Sequence, residues 1–178
     1  YRRLPLSKFA VSNGGGHSVK DCFVWFPATM SQKLRPRLEF FIRAPIANCN
    51  FFFFAIPHDR SKLRFSLKGS NHTGVFFSAN ETNFTARMVG RDNVLAIGEN
   101  VYISGALMFM SKTVVTIGAD GLWSDGILVQ GSDSHGVIDL DTMKIVNSGP
   151  TFVTIKRHVW IGRKVTITKN RTIRQGSI

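Results

Sequence analysis

The chain has 178 residues, 43% of them hydrophobic, and carries 23 Lys and Arg against 11 Asp and Glu, for a formal charge of +12. That length and apolar content suit one globular unit with a core of its own. The longest apolar run, near residues 51–56, is far short of the ~20 residues a membrane helix needs, so no transmembrane segment is expected.

Cys22 and Cys49 are the only cysteines. No CxxC and no cysteine–histidine spacing accompanies them, and His17, His58 and His72 share no spacing with His158, so no metal site is expected. Two thiols so far apart do not form a disulfide framework and say little about redox compartment. The chain starts at Tyr1 and stops in mid-repeat at Ile178, which reads as a fragment, so a missing leader carries no information.

Residues 1–37 have no clear period. Gly14-Gly15-Gly16 marks a loop, and the segment reads as a cap or as irregular first coils. From Leu38 the chain reads as β, with short apolar or alternating runs at 38–42, 51–56, 63–67, 75–77 and 84–88, punctuated by Gly, Asn, Asp and Pro. Gly69-Ser70-Asn71 and Gly90-Arg91-Asp92-Asn93 recur about 20 residues apart. Each precedes an apolar pair, Val75/Phe77 and Leu95/Ile97.

A strict step of six begins at Ile97 and passes Ile103, Phe109 and Val115. It slips by two residues, restarts through Ile117, Trp123 and Val129, and places His135 next. Residues 136–152 break the period and hold Asp139, Asp141, Asn147, Gly149 and Pro150, so they read as an excursion loop. From Ile155 the step is regular again, through Ile161, Ile167 and Ile173.

Six is the period neither of a helix nor of a simple strand. It fits a solenoid in which each hexad is one short strand plus a corner, and three hexads close one coil. The expected fold is therefore all-β: a three-sided parallel β-helix over 38–178, preceded by a cap over 1–37 and interrupted by the loop 136–152. The Asn-x-Thr triplets at Asn71, Asn80, Asn83 and Asn170 are then corner residues followed by strand residues, not glycosylation sites.

Charge is uneven along the chain. No acidic residue follows Asp141, whereas Lys144, Lys156, Arg157, Arg163, Lys164, Lys169, Arg171 and Arg174 do. This is either a solvated face or a surface that meets an anion.

The order Ile117-Gly118-Ala119-Asp120, Gly131-Ser132-Asp133-Ser134-His135, Ile138-Asp139-Leu140-Asp141, Ile145-Val146-Asn147 and His158-Val159-Trp160-Ile161-Gly162 resembles the hexapeptide-repeat acyltransferases with a left-handed parallel β-helix. Within them it is most similar to the bacterial capsule and polysialic-acid O-acetyltransferases. The resemblance covers residues 90–178 well and 38–90 weakly. It implies acetyl-CoA as co-substrate, a homotrimer with active sites between subunits, His135 as catalytic base, and Trp160 beside acetyl-CoA and acceptor. Gly162, in the same motif, is expected with it on the acetyl-CoA side. The sequence departs from the family at Lys156-Arg157, Asn170-Arg171 and Arg174, where glycine is usual in each stretch. These departures put the regularity of the last coils in question. The family's later coils, which help hold CoA, lie outside these residues.

The residues themselves fit that chemistry. A sugar hydroxyl is a poor nucleophile near neutrality, and histidine is the side chain suited to take its proton there. Asp133 either orients the imidazole or sits at a corner. Neither cysteine lies near His135 in sequence, which favours direct transfer over an acyl-enzyme. Trp160 is either an outward aromatic on a strand or part of a binding surface, and Arg163 and Lys164 either meet CoA phosphates or face solvent.

The expected function is O-acetylation of a carbohydrate, such as a surface or capsular polysaccharide or a sialic-acid-type glycan, in the cytoplasm or at the inner membrane face. The alternative is a non-catalytic β-solenoid that binds an anionic glycan. Nucleic acid is not an expected partner, because most Phe residues fall in inward runs rather than on a basic groove.

Overall fold

A computed structural model describes residues 1–12, 14–30 and 37–178, without the side chains of 10, 11 and 30. The chain is an all-β, left-handed parallel β-helix. Helical structure among the described residues is confined to short 3₁₀ turns, such as Leu6–Lys8 and Ala28–Met30.

Three faces follow from the pairing. On the first face, Phe53, Phe76, Ile97, Ile117, Ile155 and Ile173 stack in one inward column. The second face stacks Thr82, Ile103, Trp123 and Ile161. The third stacks Phe65, Ala86, Met108, Val129 and Ile167. In the earlier coils the second and third faces share a strand, as in Thr82–Arg91 and Tyr102–Ser111. The inward side chains form one continuous core.

The corners explain the Asn and Asp content. Asp21, Asn48, Asn71, Asp92, Lys112 and Asn170, at the corner between the third and first faces, all have positive φ near 50–60°, a backbone region that Asn and Asp tolerate better than most residues. Side-chain amides tie this column together: Asn71 Nδ2 donates to Asp92 Oδ1 at 2.9 Å. Asn100, Asp120 and His158 form the same feature at the next corner, and Gly126 with Lys164 at the third. Asn71 and Asn170 are thus corner residues, whereas Asn83 lies within a strand.

Coil length is not constant. Val153 to Arg171 is one 18-residue coil, whereas Leu95 pairs with Val115, 20 residues on. The surplus is absorbed at irregularities such as the one between Ile103 and Ala106. This corrects three sequence readings. Phe109 does not continue the inward step: the inserted residues shift the phase, so Met108 and Met110 are buried and Phe109 faces out. Val75 and Phe77 are likewise outward, because Gly74 and Phe76 are the residues in register with Leu95 and Ile97. A one-residue change of phase sends every side chain of a strand to the opposite face. His135, placed inward by the step of six, is exposed, because the chain leaves the coil after Gly131.

Gly74 has a steric reason to be glycine. A Cβ there would lie 2.6 Å from Phe51 Cδ1 and 2.6 Å from Phe76 Cε2, so the two rings fill the space of the missing side chain. Where the family pattern fails at Lys156-Arg157, the coil nevertheless continues: Gly118 N donates to Ile155 O at 2.8 Å and Lys156 N to Ile173 O at 3.0 Å. The Lys156 backbone packs directly against Gly118, and its side chain points away into solvent.

A buried polar column runs beside the first corner, through His72, Asn93 and Thr113, all fully buried. Asn93 Nδ2 donates to His72 Nδ1 at 3.3 Å, and His72 Nε2 donates to Lys68 O at 3.2 Å. Asn93 Oδ1 accepts from Thr113 N at 3.1 Å. Cys22 and Cys49 are free and buried in the first coils.

Candidate active site

His135 stands where the chain passes from the third face to the first. The strand Ile127–Gln130 ends the third face, and Thr151–Ile155 begins the next pass of the first. Between them the chain makes a separate antiparallel hairpin, Ile138–Asp139 against Lys144–Ile145. The root of this excursion is tied down on both sides. Thr151 Oγ1 donates to Gly131 O at 2.6 Å. Asn147 Nδ2 donates to His135 O and to Asp133 Oδ2, each at 2.8 Å, and Asn147 Oδ1 accepts from Val137 N at 2.8 Å. The loop is exposed, yet the backbone beneath the imidazole is fixed.

Among the described residues no hydrogen bond joins the Asp133 carboxylate to the His135 imidazole. That carboxylate is taken by Lys169 Nζ, from the following coil, and by Asn147. The Lys169 and Asn147 hydrogen bonds, in that order, hold its carboxyl below the usual carboxylate range. The described residues give the His135 imidazole no hydrogen-bond partner.

His135 lines a cleft of about 370 Å³, together with Asp133, Arg87, Phe109, Lys112 and Lys169 among others. The cleft is basic. Lys169 is neutralised by Asp133, and Lys112 Nζ donates to Ser148 O at 3.1 Å. Arg87 lies over the Phe109 ring, its Cζ 5.0 Å from the centroid, and among the described residues it has no carboxylate partner. Sequence reasoning missed Arg87, Lys112 and Asn147 as site residues. Arg87 sits between buried Ala86 and Met88, so the sequence marks it as outward but cannot separate it from any solvated cation.

The other candidates lie elsewhere. Trp160 is 51% exposed on the second face, beside exposed Leu122, one full face away from the His135 corner. Gly162 has open space at its Cα. Arg163 is paired with Asp125 at 2.9 Å, which offsets its charge, and Lys164 is exposed at a corner with φ +57°. Within one chain, then, His135 and Asp133 meet in one cleft, while Trp160, Gly162, Arg163 and Lys164 form a separate exposed edge. Neither cysteine is near His135.

No family model matches the chain. A stretch of 66 residues, 37% of the chain, is 33% identical to a polysialic acid O-acetyltransferase of Neisseria meningitidis. The chain is similar to the polysialic acid O-acetyltransferases. That match spans 30% of the relative's length. The crystal structure of NeuO, a polySia-specific acetyltransferase, superposes with a TM-score of 0.58 over 89% of this chain and 68% of that one, at 19% identity. The shared fold is the β-solenoid. No helix among the described residues is long and apolar enough to cross a membrane.

Proposed function

We propose that this protein is an O-acetyltransferase that moves an acetyl group from acetyl-CoA to a hydroxyl of a carboxylate-bearing carbohydrate, with His135 as general base. The observation that supports it most is the cleft: an exposed imidazole with no competing partner, on an anchored backbone, inside a concave basic surface. A non-catalytic solenoid has no use for that combination, whereas the similarity to polysialic acid O-acetyltransferases accounts for it.

In this reading His135 accepts the proton of the acceptor hydroxyl as its oxygen attacks the thioester carbonyl, and the resulting imidazolium protonates the departing thiolate. Direct transfer needs no enzyme nucleophile, and both cysteines are buried in the first coils. Asp133 holds the loop through Lys169 and is a positioning residue. Acetyl-CoA belongs to the cytoplasm, and the reaction is assigned there.

Trp160, Gly162, Arg163 and Lys164 are assigned to the acetyl-CoA side. They run along the second face, from Trp160 near its start to Lys164 at its corner with the third face, away from the His135 corner, so one chain does not assemble the whole site. A homotrimer, implied by the resemblance, would set this edge of one subunit against the His135 cleft of the next. Light scattering that finds only a monomer would contradict the shared site.

The test is free-thiol release from acetyl-CoA with a panel of polysaccharides. Release that requires a carboxylate-bearing glycan supports the reading. Tight glycan binding with no release from any acceptor favours the non-catalytic solenoid.

A further inference from the structure

The outward column of the third face continues the cleft along the solenoid. Phe41, Ser66, Arg87, Phe109 and Gln130 are in register on successive coils. A second hollow, also about 370 Å³, lies along this column and is lined by Phe41, Arg43, Ser66, Thr85 and Arg87. Arg87 lines both hollows, so they form one track that leads away from His135.

The two ends of that track repeat one arrangement. Arg43 lies over Phe41 with its Cζ 5.6 Å from the ring centroid, as Arg87 lies over Phe109 at 5.0 Å. Both arginines are exposed, and among the described residues neither has an acidic partner. The one carboxylate in the neighbouring column, Glu39, is already held by Arg64 at 2.6 Å, so it does not compete. Stacking on a ring pre-orients a planar guanidinium and leaves its fork of donors free for a carboxylate. Two coils separate the arginine-bearing strands, about 10 Å at the usual strand spacing.

We infer that Arg43 and Arg87 form an extended acceptor track, in which Arg87 holds the carboxylate of the sugar unit nearest His135 and Arg43 that of a unit farther along the same chain. The inference rests on the acetyltransferase reading and adds where a polyanionic acceptor lies: along the solenoid axis, over the outward column of the third face. A monomeric sugar acid would reach Arg87 only.

The test measures KM by thiol release, with a carboxylate-bearing homopolysaccharide and its dimer as acceptors, for the full chain and for Arg43→Ala, Arg87→Ala and Arg91→Ala. Loss of one charged hydrogen-bonding group predicts a rise in KM for the polymer of roughly tenfold or more. For Arg43→Ala that rise is confined to the polymer; for Arg87→Ala it extends to the dimer. Arg91, which pairs with Asp92 outside the track, is the charge control and leaves both values unchanged. Equal KM values for the polymer in Arg43→Ala and the unmutated chain would overturn the inference while leaving the acetyltransferase reading intact. If no acceptor supports release, equilibrium binding of the same polymer reads the track directly. Weaker binding by both arginine variants upholds the track, and unchanged binding overturns it.

Discussion

Lys169 reaches from one coil to grasp the Asp133 carboxylate of the coil before it, and so clamps the segment that carries His135. With Asn147 bridging Asp133 to the His135 carbonyl, the clamp makes the imidazole's position depend on a lysine that never contacts it. Lys169→Met should therefore lower kcat by roughly ten- to a hundredfold, since small misplacements of a reacting group carry costs of that size. Thermal stability should hardly change, because the pair is at the surface. The carboxyl of Asp133 lies below its ordinary value, so the clamp is complete above the usual carboxylate range and is lost only as pH falls through that lowered value. A kcat unchanged in the variant would show that the pair positions nothing.

Trp160 is half exposed and packs over no core. Trp160→Ala should leave the melting temperature nearly unchanged, within the small range of surface substitutions, and raise KM for acetyl-CoA about tenfold. A large drop in stability with KM unaltered would return Trp160 to a structural role.

The buried column beside the first corner makes stability sensitive to mild acid. His72 donates through Nε2 to Lys68 O and accepts at Nδ1 from Asn93, so both ring nitrogens are committed to the neutral form. Burial, the largest cause, lowers its pKa. In the unfolded chain the imidazole takes a proton near pH 6.5, the ordinary histidine value. The unfolded state therefore gains protons first: stability is full above that value and declines as pH falls from it toward the lowered folded value. Denaturant titrations from pH 7.5 to 5 should show this slope in the natural chain and a shallower one in His72→Gln, whose amide can keep both hydrogen bonds.

Gly74→Ala should destabilise by about 1–3 kcal/mol, the usual cost of forcing a methyl into a filled core. The added Cβ would collide with the buried rings of Phe51 and Phe76. A chemical denaturation curve that matches the natural chain would mean that the rings can move aside.

The sequence carried the fold well where coils are uniform. From Ile155 the step of six names the inward residues Ile161 and Ile167 correctly, and the corner Asn and Asp residues announce the positive φ they adopt. It failed where coils are longer than 18 residues. An inserted residue changes which side of a strand faces in, and no local composition reports it; hence the step of six points Phe109 inward where the stacked coils turn it outward. The same cause hid half of the site. Arg87 and Phe109 meet only because their strands are in register across 22 residues, a relation that exists in the stacked coils and not in the local sequence. His135 was legible from its motif and its place before a loop, but not its exposure. Asp133's partner, Lys169, lies 36 residues on and reads in the sequence as one more surface cation.

The most direct test of the central claim compares the natural chain with His135→Ala in acetyl transfer from acetyl-CoA to a carboxylate-bearing polysaccharide, with product acetylation read by mass spectrometry. Loss of a general base predicts a fall in kcat of about a hundred- to ten-thousandfold, with the fold retained by circular dichroism. Equal acetylation by both proteins would contradict the account and remove His135 from the chemistry.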